Sequence, residues 1–346
     1  MKPDTVNHYA AGAPPLLRDF LNYMLTIRGR SAKTTHEYFL DLRTFFRYLK
    51  QAKGLAAQDI PFDQIEIADI DLSFIRDITL SDTYDYLAFM AQQRPKQANS
   101  LTTGFGISAT SRARKIAALR SFFKYLTDKA GLLEYNPISN LDSPKVSKPL
   151  PRYLTAEDSM QLLDSVSGPF AERDYCILTL FLNCGMRVSE LAGLNLGDFQ
   201  GDTVRVLGKG NKERVLYLNG ACKAAVEAYL STRIKPHDVD KYAFFVSRNR
   251  NRISVQTVKW LVKKHVREAG LNADKMSPHK LRHTAATLMY QNGVDIRSLQ
   301  SILGHENLNT TMIYTHVEDA SLRGATAKNP LAEVRPKARQ KAPEDA

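Results

Sequence analysis

Two segments of the sequence place an arginine where it could bind a phosphate. In CGMRVSEL, Arg187 follows an apolar run, where a guanidinium is costly unless it is paired or binds an anion. Glu190 lies one helical turn further on, so an internal Arg–Glu pair is the simpler interpretation of this segment. In SPHKLRH, His279 and Arg282 are three residues apart and share one face of a helix. Near a helix N-terminus this pair could bind an anion, because backbone N–H groups and the helix dipole favour negative charge there.

Two further segments carry a lysine, a histidine and a tyrosine. Lys209, Lys212 and Arg214 lie around the turn of a predicted hairpin, where they are either simply exposed to solvent or placed beside a bound phosphate. The G-x-x-x-x-G-K-[ST] spacing of a P-loop is absent, which argues against nucleotide binding. His305 follows a predicted helix end and Tyr314 lies on a short helix after it. A tyrosine in such a helix more often belongs to the core, so each segment alone is a weak signal.

The elements that must position these segments are mostly helical. Residues 172–192 form an apolar stretch that predicts one helix ending near Gly193. Residues 203–218 alternate between apolar and polar side chains around Gly-Lys-Gly-Asn, which predicts a β-hairpin. Capping residues predict four more helix starts, at Thr155, Ser254, Ser277-Pro278 and Asp295. The last two of these helices are expected to end at Gly293 and Gly304.

The first part of the chain is predicted to be entirely helical. Residues 110–127 carry an apolar stripe and a basic opposite face, which is either a solvated face or a surface that contacts DNA phosphates. The candidate DNA contacts on this helix are Arg112, Arg114 and Lys115. The acidic stretch 55–80 is a poor candidate for DNA contact. Four prolines in residues 136–151 indicate a linker. We therefore predict domains at 1–147 and 148–331, followed by a disordered tail at 332–346.

Charge indicates the class of partner. The 346 residues include 48 Lys+Arg and 36 Asp+Glu, a formal net charge of +12, which favours nucleic acid first and an anionic membrane surface second. Residues 241–267 contain no acid, and we interpret them as a phosphate-contacting surface that includes Arg248, Arg250 and Arg252. A solvated basic face is the alternative. Three cysteines without paired spacing argue against a disulfide framework and favour a reducing cytosol. Neither a signal peptide nor a membrane-spanning run is predicted.

Together these segments resemble the tyrosine recombinase (integrase) family, and most closely its bacterial Xer branch. The matching strings are GMRVSELAGL, GKGNKER, SPHKLRHTAATLM and LGHENLNTTMIYTHV, and the resemblance covers residues 150–320. The family's six catalytic positions correspond to Arg187, Lys209, His279, Arg282, His305 and Tyr314. Residues 50–105 depart from the pattern, since they are longer and more acidic than a compact Xer first domain.

The resemblance implies a fold and a reaction. The fold is multidomain, with an all-α N-terminal core-binding (SAM-like) domain and a mainly α C-terminal catalytic domain that contains a small antiparallel β-sheet. The reaction is DNA strand exchange through a covalent 3′-phosphotyrosine, without ATP, metal or other cofactor. Tyr314 is then the nucleophile, His279 its general base and Lys209 the general acid. The two arginines clamp the phosphate oxygens, and His305 donates a further hydrogen bond to them.

The resemblance also implies partners. The substrate is double-stranded DNA with an inverted-repeat recombination site, bound by a homotetramer or by a heterotetramer with a paralogue on synapsed duplexes. A septal DNA translocase is a further expected partner, and chromosome dimer resolution in the bacterial cytoplasm, at the nucleoid, is the expected role in chromosome partition and cell division. The alternatives are an integrase of a phage or conjugative transposon with the same chemistry and, remotely, a non-catalytic DNA-binding protein.

Overall fold

The computed structural model describes residues 12–57, 59–94, 104–145, 153–208 and 212–304, together with Thr311. The chain divides into two compact units, Met1–Lys148 and Pro149–Ala346, which we call the N-terminal and C-terminal units. The tail predicted at 332–346 lies outside the described residues. Within the described ranges, no helix is long and apolar enough to cross a lipid bilayer.

The described elements of the N-terminal unit are helices. They are α1 (Pro15–Thr26), α2 (Ala32–Ala52), α3 (Leu72–Arg76), α4 (Leu80–Gln92) and α5 (Ala109–Asp128), with a short 3-10 turn at Phe62–Gln64. Hydroxyl side chains begin the longer helices, since Ser31, Thr79 and Ser108 each accept a hydrogen bond from a backbone N–H of the first turn. The apolar faces meet in an aromatic core, where Phe122 contacts both Phe20 and Phe46. The helix predicted at 110–127 is confirmed.

The acidic stretch at 55–80 supplies carboxylates to basic side chains of α2. Lys50 Nζ lies 2.7 and 2.8 Å from the two Asp69 oxygens, and Arg47 Nη1 lies 3.8 Å from Asp63. Arg47 also donates to the Ile65 carbonyl at 2.8 Å. The stretch therefore has a structural use within its own unit, where its carboxylates offset cations that burial would otherwise disfavour.

The C-terminal unit combines helices with one small sheet. Its helices are α6 (Ala156–Asp164), α7 (Ala171–Cys184), α8 (Val188–Gly193), α9 (Gly220–Thr232), α10 (Val255–Glu268), α11 (Pro278–Gln291) and α12 (Ile296–Leu303). Three antiparallel strands, β1 (Phe199–Gln200), β2 (Thr203–Leu207) and β3 (Glu213–Tyr217), lie in the order β1-β2-β3. Val204 pairs with Leu216 in the predicted hairpin, and both side chains are buried in the core. The predicted fold class, helical with a small antiparallel sheet, is confirmed.

The helix starts of this unit follow the predicted capping chemistry. The side chains of Thr155, Ser254 and Ser277 each accept a hydrogen bond from a backbone N–H three residues later. Asp295 accepts hydrogen bonds from the backbone N–H groups of Arg297 and Ser298 at the start of α12, and Gly304 ends that helix in the left-handed conformation with φ +62°. The start of α11, which carries His279 and Arg282, and both ends of α12, which leads into His305, are thus fixed by local sequence.

The single helix predicted at 172–192 is wrong. Residues 171–193 form two helices, because Gly185 adopts φ +57° and ends α7, and α8 begins only after Arg187. Glycine takes this left-handed conformation without the steric penalty of a side chain. Arg187 consequently lies at the N-cap of α8 and not inside an apolar helix. The break is what brings its guanidinium out of the core.

Candidate active site

Arg187 extends from the break between α7 and α8 and stays partly open to solvent. Its Nη1 donates to Glu190 Oε1 at 2.7 Å, and its Nη2 donates to the Gly304 carbonyl at 2.9 Å. Its backbone N–H donates to Glu190 Oε2 at 2.7 Å, which completes the cap of α8. The Arg–Glu pair expected from the sequence is therefore present. The side chain remains 34% exposed, so the guanidinium is oriented by these contacts and still accessible.

Arg282 lies in the second turn of α11 and is buried. Its Nη1 donates to the Gly185 carbonyl at 2.8 Å and its Nη2 to the Leu303 carbonyl at 2.5 Å. Both carbonyls belong to helix C-terminal ends, where the unsatisfied C=O groups carry partial negative charge. The carbonyls at the ends of α7 and α12 therefore stabilise this cation. The nearest oxygen of Glu190 is 3.9 Å from Nη1.

A third arginine, Arg214 on β3, completes the arrangement. Its Nη1 and Nη2 donate to the two oxygens of Glu190 at 2.8 and 2.9 Å, and its Nε donates to the Ile302 carbonyl at 2.9 Å. The last carbonyls of α12 and its cap, those of Ile302, Leu303 and Gly304, are thus each taken by a different arginine. The sequence could have indicated this inward position, because Arg214 and Leu216 are two residues apart on one strand and therefore share a face, and Leu216 is buried.

Glu190 is the carboxylate that the three arginines have in common. Its side chain is 1% exposed. Burial alone would raise its pKa, but hydrogen bonds from Arg214 and from the Arg187 backbone N–H, with the charge of Arg214 and the side chain of Arg187, lower that pKa to about 2. Glu190 is therefore ionised at neutral pH. We name Arg187, Arg214, Arg282 and Glu190 the arginine cluster.

His279 lies one turn before His283 on α11, and the two rings are in contact. Their Nε2 atoms are 3.1 Å apart and their ring centroids 4.4 Å apart. Burial lowers the pKa of His279, and the positive charges of Arg282, Lys280 and Arg187 lower it further. A neutral imidazole is the form that can accept a proton. The sequence did not single out His283, since only the folded helix shows that the two rings meet.

Three of the six candidate catalytic residues, Lys209, His305 and Tyr314, lie outside the described residues. The described chain reaches the positions just before two of them. Gly208 precedes Lys209 and donates its N–H to the Lys212 carbonyl at 2.7 Å, and Gly304 precedes His305 at the end of α12. The structure therefore brings together Arg187, Arg282 and the polypeptide that leads into Lys209 and His305.

The predicted DNA contacts of the N-terminal unit are partly engaged within that unit. Lys115 is buried and lies 2.8 Å from Asp41, which also takes two hydrogen bonds from Arg114 at 2.6 and 2.9 Å. Arg112 donates to the Ile107 carbonyl at 2.6 Å. Lys115 was expected on the exposed face of α5, and that placement is wrong, because its ammonium is drawn into the ion pair. A role of the three residues in DNA binding stays a prediction.

The predicted contacts of the C-terminal unit differ among themselves. Arg252 Nη1 donates to the carbonyls of Ala192, Gly193 and Leu194, so it caps the C-terminal end of α8. Arg248 and Arg250 are exposed, and Lys212 is exposed beside the hairpin turn. That the exposed cations of residues 241–267 contact phosphates stays a prediction. Arg252 also has a structural role, because it caps α8. In the described part of the chain, no group of His, Cys, Asp and Glu is placed to hold a metal ion.

Two family models match the chain. The model of the phage integrase family matches residues 152–321. The model of the phage integrase N-terminal SAM-like domain matches residues 17–130. Each match falls within one of the two compact units.

Curated proteins of known name are similar over nearly the whole chain. Tyrosine recombinase XerC of Caldanaerobacter subterraneus subsp. tengcongensis is 51% identical over 321 residues, which cover 92% of this chain and 88% of that protein. Tyrosine recombinase XerC of Psychromonas ingrahamii is 38% identical, with 88% and 92% covered. Tyrosine recombinase XerD of Listeria monocytogenes serotype 4b is 32% identical, with 89% and 96% covered.

Solved structures share the fold. The XerH site-specific recombinase bound to palindromic difH substrate, a post-cleavage complex, aligns with a TM-score of 0.64 at 19% identity and covers 90% of this chain and 94% of that one. A lambda integrase dimer bound to a COC′ core site aligns with a TM-score of 0.57 at 17% identity, with 85% and 95% covered. At these identities the likeness concerns the fold.

Proposed function

The chain belongs to the phage integrase family of tyrosine recombinases, and we propose that it is a Xer-type site-specific recombinase that cuts and rejoins duplex DNA through a covalent 3′-phosphotyrosine at Tyr314. The Xer type rests on the similarity to proteins named XerC and XerD over about nine-tenths of the chain. We propose duplex DNA as the substrate, which agrees with neighbours of the same fold that were solved bound to a difH substrate and to a COC′ core site.

The observation that carries the mechanism is the arginine cluster at the end of α12. A phosphodiester is negatively charged, and the transition state of its attack gathers more charge on the non-bridging oxygens. Arg187 and Arg282, held in fixed orientations, supply donors to those oxygens. Preorganised donors of this kind contribute about 3–4 kcal/mol each to transition-state stabilisation. Glu190 orients Arg187 without cancelling its charge, because one carboxylate serves three guanidiniums.

The remaining roles follow from the chemistry of the groups. A free tyrosine hydroxyl has a pKa of about 10 and attacks weakly at pH 7. His279, whose pKa is lowered, is neutral and takes the proton of Tyr314 as the oxygen attacks phosphorus. Lys209 donates a proton to the leaving 5′ oxygen, and His305 donates a hydrogen bond to the phosphate. The phosphotyrosine retains the energy of the broken ester, so that a 5′ hydroxyl of the partner strand reverses the step and seals the new junction.

The experiment that tests this function traps the covalent intermediate. The probe is a nicked suicide duplex that carries an inverted-repeat site, selected from random duplexes by binding to the protein. The wild type is expected to form an adduct that resists denaturant. Tyr314→Phe is expected to bind the duplex and form no adduct, whereas Tyr217→Phe, at a 79% exposed tyrosine of the same unit, should match the wild type. A wild type that binds without an adduct, or an adduct that survives in Tyr314→Phe, would overturn the proposal.

We propose a tetramer on two synapsed duplexes as the working assembly, and resolution of chromosome dimers at cell division, with a septal DNA translocase, as the cellular role. A plasmid with two directly repeated sites tests the assembly. Resolution by the purified chain alone indicates a homotetramer, and a requirement for a second recombinase indicates a heterotetramer. The absence of four-protomer complexes on the two-site plasmid in either case would contradict synapsis.

A further inference from the structure

Arg214 differs from the other arginines predicted to contact DNA, because the structure engages each nitrogen of its guanidinium internally. Nε donates to the Ile302 carbonyl at 2.9 Å, and the two terminal nitrogens donate to the two oxygens of Glu190 at 2.8 and 2.9 Å. The side chain is only 14% exposed. The bidentate pairing with a buried carboxylate is a rigid geometry that arginine forms and lysine does not. A guanidinium held in this way is poorly placed to follow a DNA backbone.

The same guanidinium lies against the chain that leads to two candidate catalytic residues. At Gly304, an added Cβ would lie 3.1 Å from Cδ and Nη1 of Arg214, so the arginine packs directly on the residue that precedes His305. At Gly208, which precedes Lys209, an added Cβ would lie 3.7 Å from Nη1 of Arg214 and 3.6 Å from Oε1 of Glu190. The approach is tight at Gly304, where a side chain would crowd Arg214, whereas the distances at Gly208 are those of ordinary van der Waals contact.

Arg214 is also connected to Arg187 and Arg282, the two arginines that we propose to bind the phosphate oxygens and that we call the phosphate clamp. It holds both oxygens of Glu190, and Oε1 of Glu190 is the atom that orients Nη1 of Arg187. Through Ile302 it holds the end of α12, whose next carbonyl, that of Leu303, accepts from Arg282. A shift of this one side chain would therefore displace the supports of Arg187 and Arg282 together.

We propose that Arg214 is a positioning residue of the recombinase reaction, which aligns the phosphate clamp through Glu190 and the end of α12 and makes no contact with DNA. The inference rests on the proposed function and adds to it a residue outside the six that resemble the family's catalytic set. It replaces the DNA-contact role that the sequence predicted for Arg214. Loss of a positioning residue should slow the reaction at saturating DNA and leave DNA affinity unchanged. Loss of a phosphate contact should weaken DNA affinity and leave the rate at saturating DNA unchanged.

The test compares Arg214→Ala and Arg214→Lys with the wild type on the nicked suicide duplex. At saturating DNA we expect adduct formation to slow about 100-fold in Arg214→Ala, since a displacement of about 1 Å in a reacting group has effects of that order. Arg214→Lys should recover little of this rate, because an ammonium cannot bridge both oxygens of Glu190 and the Ile302 carbonyl. Dissociation constants and their dependence on salt should match the wild type in both variants.

A matched control is available on the neighbouring strand. Arg205 on β2 is 54% exposed and pairs with the carboxylates of Asp198 and Glu213, so Arg205→Ala is expected to leave the rate of adduct formation unchanged. If Arg214 contacted a phosphate, Arg214→Ala would instead weaken binding and make the negative slope of log K against log salt shallower by about 0.9, with a normal rate at saturation. That result would overturn the inference.

A double-variant cycle tests whether Arg214 acts through Glu190. If Arg214 acts through Glu190, the two substitutions disturb the same contacts. The double variant Arg214→Ala with Glu190→Gln should then form the adduct no more slowly than the slower of the two single variants. Rate losses that multiply would show that Arg214 acts independently and would contradict the inference. If Arg214→Ala does not fold, Arg214→Lys carries the same comparison. The wild-type adduct separates the two proposals, since its absence refutes the recombinase function and its presence with normal Arg214 variants refutes only the positioning role.

Discussion

Replacing Gly185 with alanine should damage the C-terminal unit through two separable effects. Gly185 has φ +57°, and a residue with a side chain pays about 1–2 kcal/mol for that left-handed backbone. Its new Cβ would also lie 2.9 Å from Cδ2 of Leu303. Crowding of a packed site costs about 1–3 kcal/mol. The two effects together predict a loss of about 2–5 kcal/mol in the free energy of unfolding.

Gly201 provides the matched control. It lies in the same unit with φ +59°, and an added Cβ would meet nothing within 4 Å. Gly201→Ala therefore carries the backbone strain alone, about 1–2 kcal/mol. The difference between the two variants isolates the contact with Leu303, which we expect to be about 1–3 kcal/mol.

Urea unfolding of the full chain, followed by tryptophan fluorescence, measures this difference. The chain has a single tryptophan, Trp260 on α10, so the signal reports the C-terminal unit. Adduct formation on the suicide duplex provides the second measurement. The Gly185 carbonyl orients Arg282, so Gly185→Ala should slow cleavage even under conditions in which it is fully folded. Equal stability losses at the two glycines, or a folded Gly185→Ala that cleaves at the wild-type rate, would refute this reasoning.

Two further predictions concern charge. Asp41→Asn leaves Lys115 buried without its ion-pair partner and should destabilise the N-terminal unit by about 3 kcal/mol, measured by circular dichroism in urea. Glu37→Gln, at an exposed carboxylate that pairs with the same Arg114, should change stability by less than about 0.5 kcal/mol, and equal effects would contradict the burial argument. Because the pKa of His279 is lowered from 6.5, the imidazole is neutral at pH 7, and kcat/KM for adduct formation should fall only as the pH drops below 6.5. A fall that begins well above pH 6.5, or one that persists unchanged in His279→Gln, would exclude His279 as the base.

Local sequence predicts the helix starts of the C-terminal unit because capping is a local interaction. Ser277 and Asp295 each satisfy a backbone N–H within their own first turn, so no tertiary information is needed to recognise them. The hairpin is predictable for a similar reason, since alternation along β2 and β3 directly gives the buried face. The six candidate catalytic residues were assigned through the resemblance of four short motifs to the tyrosine recombinase family, since each motif alone is a weak signal.

The break at Gly185 was not predictable by the same reasoning. Apolar residues continue past it, at Met186, Val188 and Leu191, and this continuity favours one long helix. The break is stabilised by tertiary contacts, because the Gly185 carbonyl accepts from Arg282, 97 residues further on. The contact of Arg214 with the Ile302 carbonyl spans 88 residues of sequence. Contacts of this kind decide the function of an arginine, and charge patterning alone cannot distinguish Arg214 from an exposed cation such as Arg248.

The positive charge of the arginine cluster is only partly neutralised by its neighbours, so the cluster can still attract a phosphate. In the N-terminal unit, the carboxylates of Asp41 and Glu37 face Arg114 and Lys115, so each cation there has an anion to offset it. Among the described residues of the C-terminal unit, one carboxylate, that of Glu190, lies within ion-pair distance of three guanidiniums, and carbonyls of helix ends accept four further hydrogen bonds from them. A helix C-terminus carries only about half a negative charge, which is enough to stabilise a partly buried arginine before DNA binds. The cluster therefore keeps an excess of positive charge that a phosphate can neutralise, whereas a second carboxylate in place of the carbonyls would compete with the substrate for the same donors.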